Sequence, residues 1–366
     1  TILFYTFIVV VCFQLVYYLV IFKLFAFSKV DQPSKKNIGI SVLICAKNEA
    51  ENLKQFIPQI IQQDFEKFEI VLINDASSDD TLDVMKGFEA KHENIKVVDV
   101  LPNDTFWGSK KYALTLGIKA STHDYLLFTD ADCKPLTNQW IKTMSSHFSN
   151  AKSIVIGYSG YKKVKGSLLN KLIRFETVLT AIQYFSYAKI GKPYMAVGRN
   201  LAYRKEEFFR VNGFTSHMKL HSGDDDLFIN QVATATNTAI CINQGGFTQS
   251  LPKTSYKNWI RQKQRHVSTA KYYKPKNKFL LGLFYMSQLL FWILAISLSI
   301  TTFQWPFVLG LIAIRFLSVY LIFWHSARKL NEKDLLLGLA LLELFLITSQ
   351  LVIFISNLTT RSKRWK

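Results

Sequence analysis

Apolar and polar positions are organised on two different length scales along this chain. Ile2 to Phe22 is almost wholly apolar, with Gln14 breaking the run in its middle. Three more long runs lie in the last ninety or so residues. Phe279 to Ile300 carries no charge, Pro306 to Trp324 carries only Arg315, and Leu335 to Ile355 carries only Glu343. Each approaches or exceeds the roughly 20 apolar residues that cross a bilayer core. Uncharged runs of this length seldom occur in soluble cores, so four membrane spans are expected. The first run has no basic start and is followed by Lys23 and Leu24 rather than a small-residue cleavage site. It reads as an uncleaved anchor.

Between these runs the scale shortens. Ile38 to Cys45, Phe68 to Ile73, Ile95 to Val100 and Tyr125 to Thr129 are short apolar stretches that predict strands. Amphipathic stretches alternate with them and predict helices from Glu49 to Gln63, Thr81 to His92 and Lys110 to Ala120. Alternating strand and helix implies an α/β fold with a mostly parallel central sheet and helices on both faces. The expected organisation is a transmembrane anchor at 1–24, the α/β domain at 38–250, a basic interfacial segment at 251–278, about three transmembrane helices at 279–357 and a basic tail at 358–366.

The formal net charge of +19 changes this picture only in one respect. Lys23, Lys29, Lys35 and Lys36 follow the first span, and nine Lys and Arg residues from Lys253 to Lys278 precede the second. Basic residues beside spans mark the cytoplasmic side and attract anionic lipid heads. The middle domain is therefore expected in the cytosol of an integral membrane protein, and no nucleic-acid partner is expected. Cys12, Cys45, Cys133 and Cys241 show neither metal-ligand spacing nor a disulfide framework and read as reduced, structural thiols.

In parallel sheets ligands bind at the carboxyl ends of the strands. Three polar clusters fall there: Ala46-Lys47-Asn48-Glu49, Asn74-Asp75-Ala76-Ser77-Ser78-Asp79 and Asp130-Ala131-Asp132. Two carboxylates one residue apart at a strand end can hold a hard cation together with phosphate oxygens. Asp75 can accept the imide N–H of a uracil ring, while Ser77, Ser78 and Asp79 can cap the helix that follows. Gly223-Asp224-Asp225-Asp226 opens another predicted helix, where the dipole favours acids and where one carboxylate can act as a general base. Gln262 and Arg265 lie three apart in a basic, aromatic stretch; they share a helix face and can reach one diphosphate.

Taken in order, these motifs resemble the family 2 glycosyltransferases, with the nucleotide-sugar fold called GT-A, over about Ile38 to His266. Ala46-Lys47-Asn48-Glu49 is similar to the opening nucleotide-binding loop, Asn74-Asp75-Ala76-Ser77 to the base-binding motif and Asp130-Ala131-Asp132 to the metal motif. Gly108-Ser109-Lys110-Lys111-Tyr112-Ala113-Leu114 is similar to the Gly-Lys-x-x-Ala-Leu segment, which makes Lys110 the phosphate-side lysine. Gly198-Arg199-Asn200 with Gly213-Phe214 resembles the acceptor side. The resemblance implies Ala46, Asn48, Glu49, Asp75, Lys110, Asp130, Gln262 and Arg265 as donor-binding residues. It implies Gly198, Asn200 and His266 on the acceptor side, and Asp132 with Asp130 as ligands of Mg2+ or Mn2+. The family's catalytic Glu-Asp pair is replaced by Asp224-Asp225-Asp226, so the base is Asp225 or Asp224, with Asp225 preferred. The Gln-x-x-Arg-Trp motif of membrane synthases ends here in His266, which counts against a processive synthase.

What the resemblance implies is inverting transfer from a nucleotide diphosphate sugar, expected to be a UDP-sugar, to a lipid-linked or other membrane-proximal glycan acceptor. A processive polysaccharide synthase and a non-catalytic scaffold are the alternatives. The expected setting is the bacterial inner membrane. One conflict remains in the pattern: four full spans would put Arg361, Lys363, Arg364 and Lys366 outside, against the positive-inside tendency. Either one C-terminal run is re-entrant or interfacial, with the run that carries Arg315 the first suspect, or the rule is broken at this tail.

Overall fold

The strands form where the apolar runs predict them; three of the four reach a residue or two further at the carboxyl end, and the third keeps its predicted bounds. In the computed structural model, which describes residues 1–34, 36–101, 109–220 and 222–359, β1 is Ile40–Ala46, β2 Phe68–Asp75, β3 Ile95–Val100 and β4 Tyr125–Asp130. Gly108 of the lysine motif, Lys35 and the basic tail lie outside the described residues. Short strands follow: β5 Cys133–Pro135, β6 Ile154–Ile156, β7 Ser159–Tyr161, β8 Leu201–Arg204, β9 Thr238–Ile240 and β10 Thr248–Ser250. The chain divides into two units. Of the described residues, one holds Val30–Lys162 and Pro193–Lys253; the other holds Thr1–Lys29, Lys163–Lys192 and 254–359.

The first of these units is the α/β domain. Its seven-stranded sheet runs β3-β2-β1-β4-β8-β6-β9. β1 to β4 are mutually parallel, β8 is antiparallel to both of its neighbours, and β6 is parallel to β9. Register sets the chemistry. Cys45 pairs with Ile73 on one side and Asp130 on the other, so the polar ends of β1, β2 and β4 fall in one row. A three-stranded sheet, β5-β10-β7, is built from the short segments after Asp132, after β6 and after Asn243.

The core is aliphatic. Ile40, Val42, Ile44, Ile70 and Leu72 pack against Leu53, Ile57 and Ile60 of the helix Ala50–Ile61 and against Trp140 and Met144. Each such side chain contributes about 1.5–3 kcal/mol by leaving water. The helix Ser109–Ala120 lies especially close to the sheet. A Cβ on Gly117 would fall 2.2 Å from the Ile73 side chain, so only glycine permits this approach. That approach sets where Lys110 and Lys111 begin.

The second unit is helical. It contains four helices long and apolar enough to cross a membrane: Ile2–Ala26, Pro275–Thr301, Trp305–Lys329 and Lys333–Ser356. Two further helices, Leu168–Lys189 and the basic Tyr256–Ala270, belong to the same unit. The apolar helices share one buried polar network. Arg315, 0% exposed, pairs with Glu343, donating from Nη1 at 2.6 Å and also from Nη2. Arg315 Nη2 also reaches Gln14 at 3.0 Å, Gln14 donates to Ser287 at 2.6 Å, and Gln288 donates to Glu343 at 2.9 Å. Each of the four apolar helices thus supplies a member. In a low-dielectric interior a charge is tolerated only when paired and hydrogen-bonded.

Candidate active site

The site is assembled at the carboxyl ends of β1, β2 and β4. Asp75 ends β2 and is buried; Asp130 ends β4; Ala46 ends β1. The loop after β1 is locked to the loop after β2. Asn48, at φ 56°, donates its amide to Ser77 Oγ at 3.0 Å and accepts from the Ser78 amide at 2.8 Å. The Glu49 amide donates to Thr81 Oγ1 at 2.8 Å. The serines predicted as caps therefore serve this loop pairing instead. Asp79 does the capping, accepting the Thr81 amide at 3.0 Å.

Lys110 stands at the centre. Its Nζ is 3.1 Å from Asp130 Oδ1 and 2.9 Å from Asp224 Oδ2. Burial pulls this amine down, but the two carboxylates outweigh it and hold its pKa well above the usual lysine range. Burial would likewise raise the Asp224 carboxyl, yet the pair with Lys110 keeps it below the usual value. Asp225 differs. Burial, with the Asp224 and Asp226 charges beside it, pushes it up to about 7, although Lys110 and the Gly198 amide pull the other way. It caps the helix Asp226–Val232 through the Asp226 amide, and its Oδ2 accepts from the Gly198 amide at 2.7 Å. Lys110, Asp130, Gly198, Asp224 and Asp225 line one recess.

Asp132 lies in the turn between β4 and β5. Burial and the neighbouring Asp130 raise its carboxyl, a crowding that a cation would relieve. The ligand atoms of Asp130, Asp132 and Cys133 lie within 4.8 Å of one another, which suits a small ion. The Cys133 thiol is pushed well up by burial and donates to Asp132 Oδ1 at 3.3 Å, so the two carboxylates are the oxygen donors that a hard cation could use here.

Asn200, expected on the acceptor side, has a fully buried side chain. It donates to the carbonyls of Tyr158 and Gly246, both at 2.8 Å, and accepts from Trp140 Nε1 at 3.0 Å. Gln262, Arg265 and His266 lie in the helical unit, on Tyr256–Ala270, where His266 is exposed. Two residues escaped the motif reading. Lys111 is buried and donates to three carbonyls. Arg199 stacks over Tyr161 at 4.3 Å, donates to Ser250 at 3.0 Å and lends Asp132 a compensating charge. Only the spare basic residue beside each motif position signalled them.

A mostly parallel sheet whose strand ends present a pair of metal-spaced carboxylates, a half-buried lysine and a carboxylate near neutrality defines a nucleotide-sugar transferase domain of the GT-A class. Residues 41–217 match the model of Glycosyl transferase family 2. A mannosyltransferase from Pyrobaculum calidifontis, solved in complex with GDP-Man and Mn2+, shares the fold: TM-score 0.59, 18% identity, over 91% of this chain and 94% of that one. Among curated proteins, the poly-beta-1,6-N-acetyl-D-glucosamine synthase of Staphylococcus epidermidis is 34% identical over 94 residues, 26% of this chain and 22% of that protein. The synthase of Staphylococcus aureus strain COL matches to the same extent. The chain thus spans about a fifth of the length of the curated relatives it matches.

Proposed function

We propose that the protein is a membrane-bound inverting glycosyltransferase that moves a sugar from a nucleoside diphosphate sugar, a UDP-sugar in the first instance, to a membrane-proximal acceptor hydroxyl. The observation that carries this reading is the pairing of unlike carboxylates around Lys110: Asp224 ion-paired, Asp225 up at about 7. A base poised near neutrality is what deprotonation of a hydroxyl requires.

Asp75 and the Asn48–Ser78 loop pairing fit the nucleoside end of the donor. Asp130 and Asp132 fit a divalent cation, Mg2+ or Mn2+, which would supply positive charge to the diphosphate oxygens. Asp225, in preference to Asp224, takes the acceptor's hydroxyl proton. The oxygen then bonds to the anomeric carbon as the bond to the diphosphate breaks. One displacement inverts that centre, and the nucleoside diphosphate leaves. Lys110 offsets part of its charge. Gln262 and Arg265, on the basic helix, are assigned to the diphosphate, and Gly198 and His266 to the acceptor side.

The acceptor is assigned to the membrane, because four bilayer-length helices accompany the domain. The basic residues flanking those helices favour the cytoplasmic side of a bacterial inner membrane for catalysis. A lipid-linked glycan is the first reading. A processive polymer synthase is the second, favoured by the names of the staphylococcal relatives.

The test is a donor panel on purified membranes, with UDP-N-acetylglucosamine, UDP-glucose and GDP-mannose, following nucleotide release with and without EDTA. Release from one donor, lost in EDTA and reduced by about 100-fold or more (~3 kcal/mol) in Asp132→Ala, is expected. Metal-independent release, or full activity in Asp132→Ala, would overturn the cation assignment. Organic-phase against polymer-phase product separates the two acceptor readings.

A further inference from the structure

Two adjacent lysines on the helix Ser109–Ala120 do different work. Lys110 meets carboxylates. Lys111, 2% exposed, donates from Nζ to the carbonyls of His217 at 2.6 Å, Leu220 at 3.1 Å and Ser222 at 2.8 Å. Three carbonyls use all three donors of an ammonium group, which makes its burial tolerable. Ser222 leads straight into Gly223, at φ 102°, and then Asp224 and Asp225. The chain entering the acidic turn is thus tied to the same helix that carries Lys110. We propose that Lys111 is a positioning residue that fixes this entry and, through it, the carboxylates of Asp224 and Asp225. The proposal rests on the transferase reading given above.

Lys111→Met should lower kcat by about 100-fold, the scale of a small misplacement of reacting groups, while donor KM stays within about 2-fold. An unchanged kcat, or a raised KM with kcat kept, overturns the proposal. Hydrogen exchange reads the same point without turnover. Faster exchange at residues 222–226 in Lys111→Met, with the sheet amides unchanged, is expected, and unchanged exchange there overturns it. Should the wild-type protein turn over no donor, the transferase reading fails, and the exchange result still decides the role of Lys111.

An independent set of contacts concerns the last apolar segment. Within the helical unit, Tyr17 OH donates to the Leu280 carbonyl at 2.7 Å, and Phe4 meets Phe303 at 6.1 Å. The helices Ile2–Ala26 and Pro275–Thr301 therefore run antiparallel, with residues 22–28 and 275–280 at one end. Lys329 Nζ donates to the carbonyls of Phe25, Ala26 and Ser28, so the third helix finishes at that same end and the last segment starts there. Glu343 then meets Gln288, midway along Pro275–Thr301. One turn later, Ile347 accepts from Tyr285, back toward the starting end. Further on, Gln264 donates to Ser356 at 2.8 Å. Gln264 is on the basic helix whose chain enters Pro275 at the starting end. A traverse from Glu343 to Ser356 would instead carry Ser356 about 20 Å away from it.

We infer that residues 333–356 do not cross the bilayer. They enter to the depth of Arg315 and return to the side on which they began. The Arg315 helix, suspected from sequence, is a full span in this arrangement, and an even number of crossings precedes the basic tail, as the positive-inside tendency asks. In a chain freed of its four cysteines, single cysteines at Ser28, Thr302 and Ser362 are probed with a membrane-impermeant maleimide in oriented vesicles. Ser362→Cys should label with Ser28→Cys, and Thr302→Cys from the opposite face. Labelling of Ser362→Cys together with Thr302→Cys overturns the inference. If the cysteine-free chain does not fold, protease protection of an epitope tag after Lys366 in the native background reads the same sidedness.

Discussion

The Gly198 amide donates to Oδ2 of Asp225 at 2.7 Å, which ties the strand-entry loop before β8 to the acidic turn. This bond fixes the direction of one carboxylate oxygen and leaves further lone pairs for a substrate hydroxyl. A Cβ on Gly198 would sit 3.2 Å from that same oxygen. Gly198→Ala must therefore displace the carboxylate by a few tenths of an ångström. We expect kcat to fall by about 10-fold with donor KM unchanged, since a sub-ångström shift of a reacting group acts on the transition state. Steady-state kinetics with the donor identified by the panel checks this; a change confined to KM would place Gly198 in donor binding instead.

Asp225 sets a pH dependence of definite sign. Its carboxyl titrates at about 7, above the ordinary Asp range, and a base works only when deprotonated. Activity should rise through pH 7 from an acidic limb, and Asp225→Asn should abolish turnover. The stability consequence has the opposite direction. A carboxyl whose folded value is raised binds more protons folded than unfolded between the two values, so stability falls as pH rises through that window. Asp225→Asn should therefore have a higher Tm than wild type at pH 8 and little difference near pH 4. A Tm that drops at pH 8 would mean that the Asp225 charge is a net stabiliser of the fold.

Asn200 separates a core role from a site role. Its amide group makes three hydrogen bonds and is fully buried, joining the Trp140 indole to the segments around Tyr158 and Gly246. Asn200→Ala leaves these partners unsatisfied, each at about 1–3 kcal/mol. The expected result is a large loss of Tm, with residual activity at low temperature and unchanged acceptor KM. A normal Tm with a raised acceptor KM would return Asn200 to the acceptor side.

The ends of β2 and β4 were readable in the sequence because their apolar runs stop at polar residues, and the register of a parallel sheet aligns those stops. Asp75 and Asp130 follow from that rule alone, and the GT-A resemblance agreed with it. Lys111 was not readable, because nothing local says which of two neighbouring lysines turns inward. Its partners are carbonyls about a hundred residues away, and a carbonyl leaves no trace in sequence. Asn200 shows a related limit of sequence: a polar residue inside a motif reads as ligand-facing, and its partners here, two distant carbonyls and the Trp140 indole, are not visible locally. Asp224 and Asp225 read alike in sequence, because what separates their charges is the position of Lys110 in space.

The Arg315–Glu343 pair carries the last prediction. Arg315 is fully buried and Glu343 is 2% exposed, and both stand in helices of bilayer length. Removing one partner leaves a desolvated charge whose neighbours, Gln14 and Gln288, are too few to replace it. Arg315→Met or Glu343→Leu alone should cost about 3–5 kcal/mol, whereas the two together should recover most of that loss, because an apolar pair of similar volume carries no desolvation penalty. The measurement is thermal unfolding of the purified protein in one detergent, completed as a double-mutant cycle. Additive losses would show that the two side chains are not coupled and would remove the pair as the point where the last segment is held at the depth of Gln288. A recovered double variant whose turnover also returns would assign the pair to holding the helices together, separate from the chemistry at Asp225.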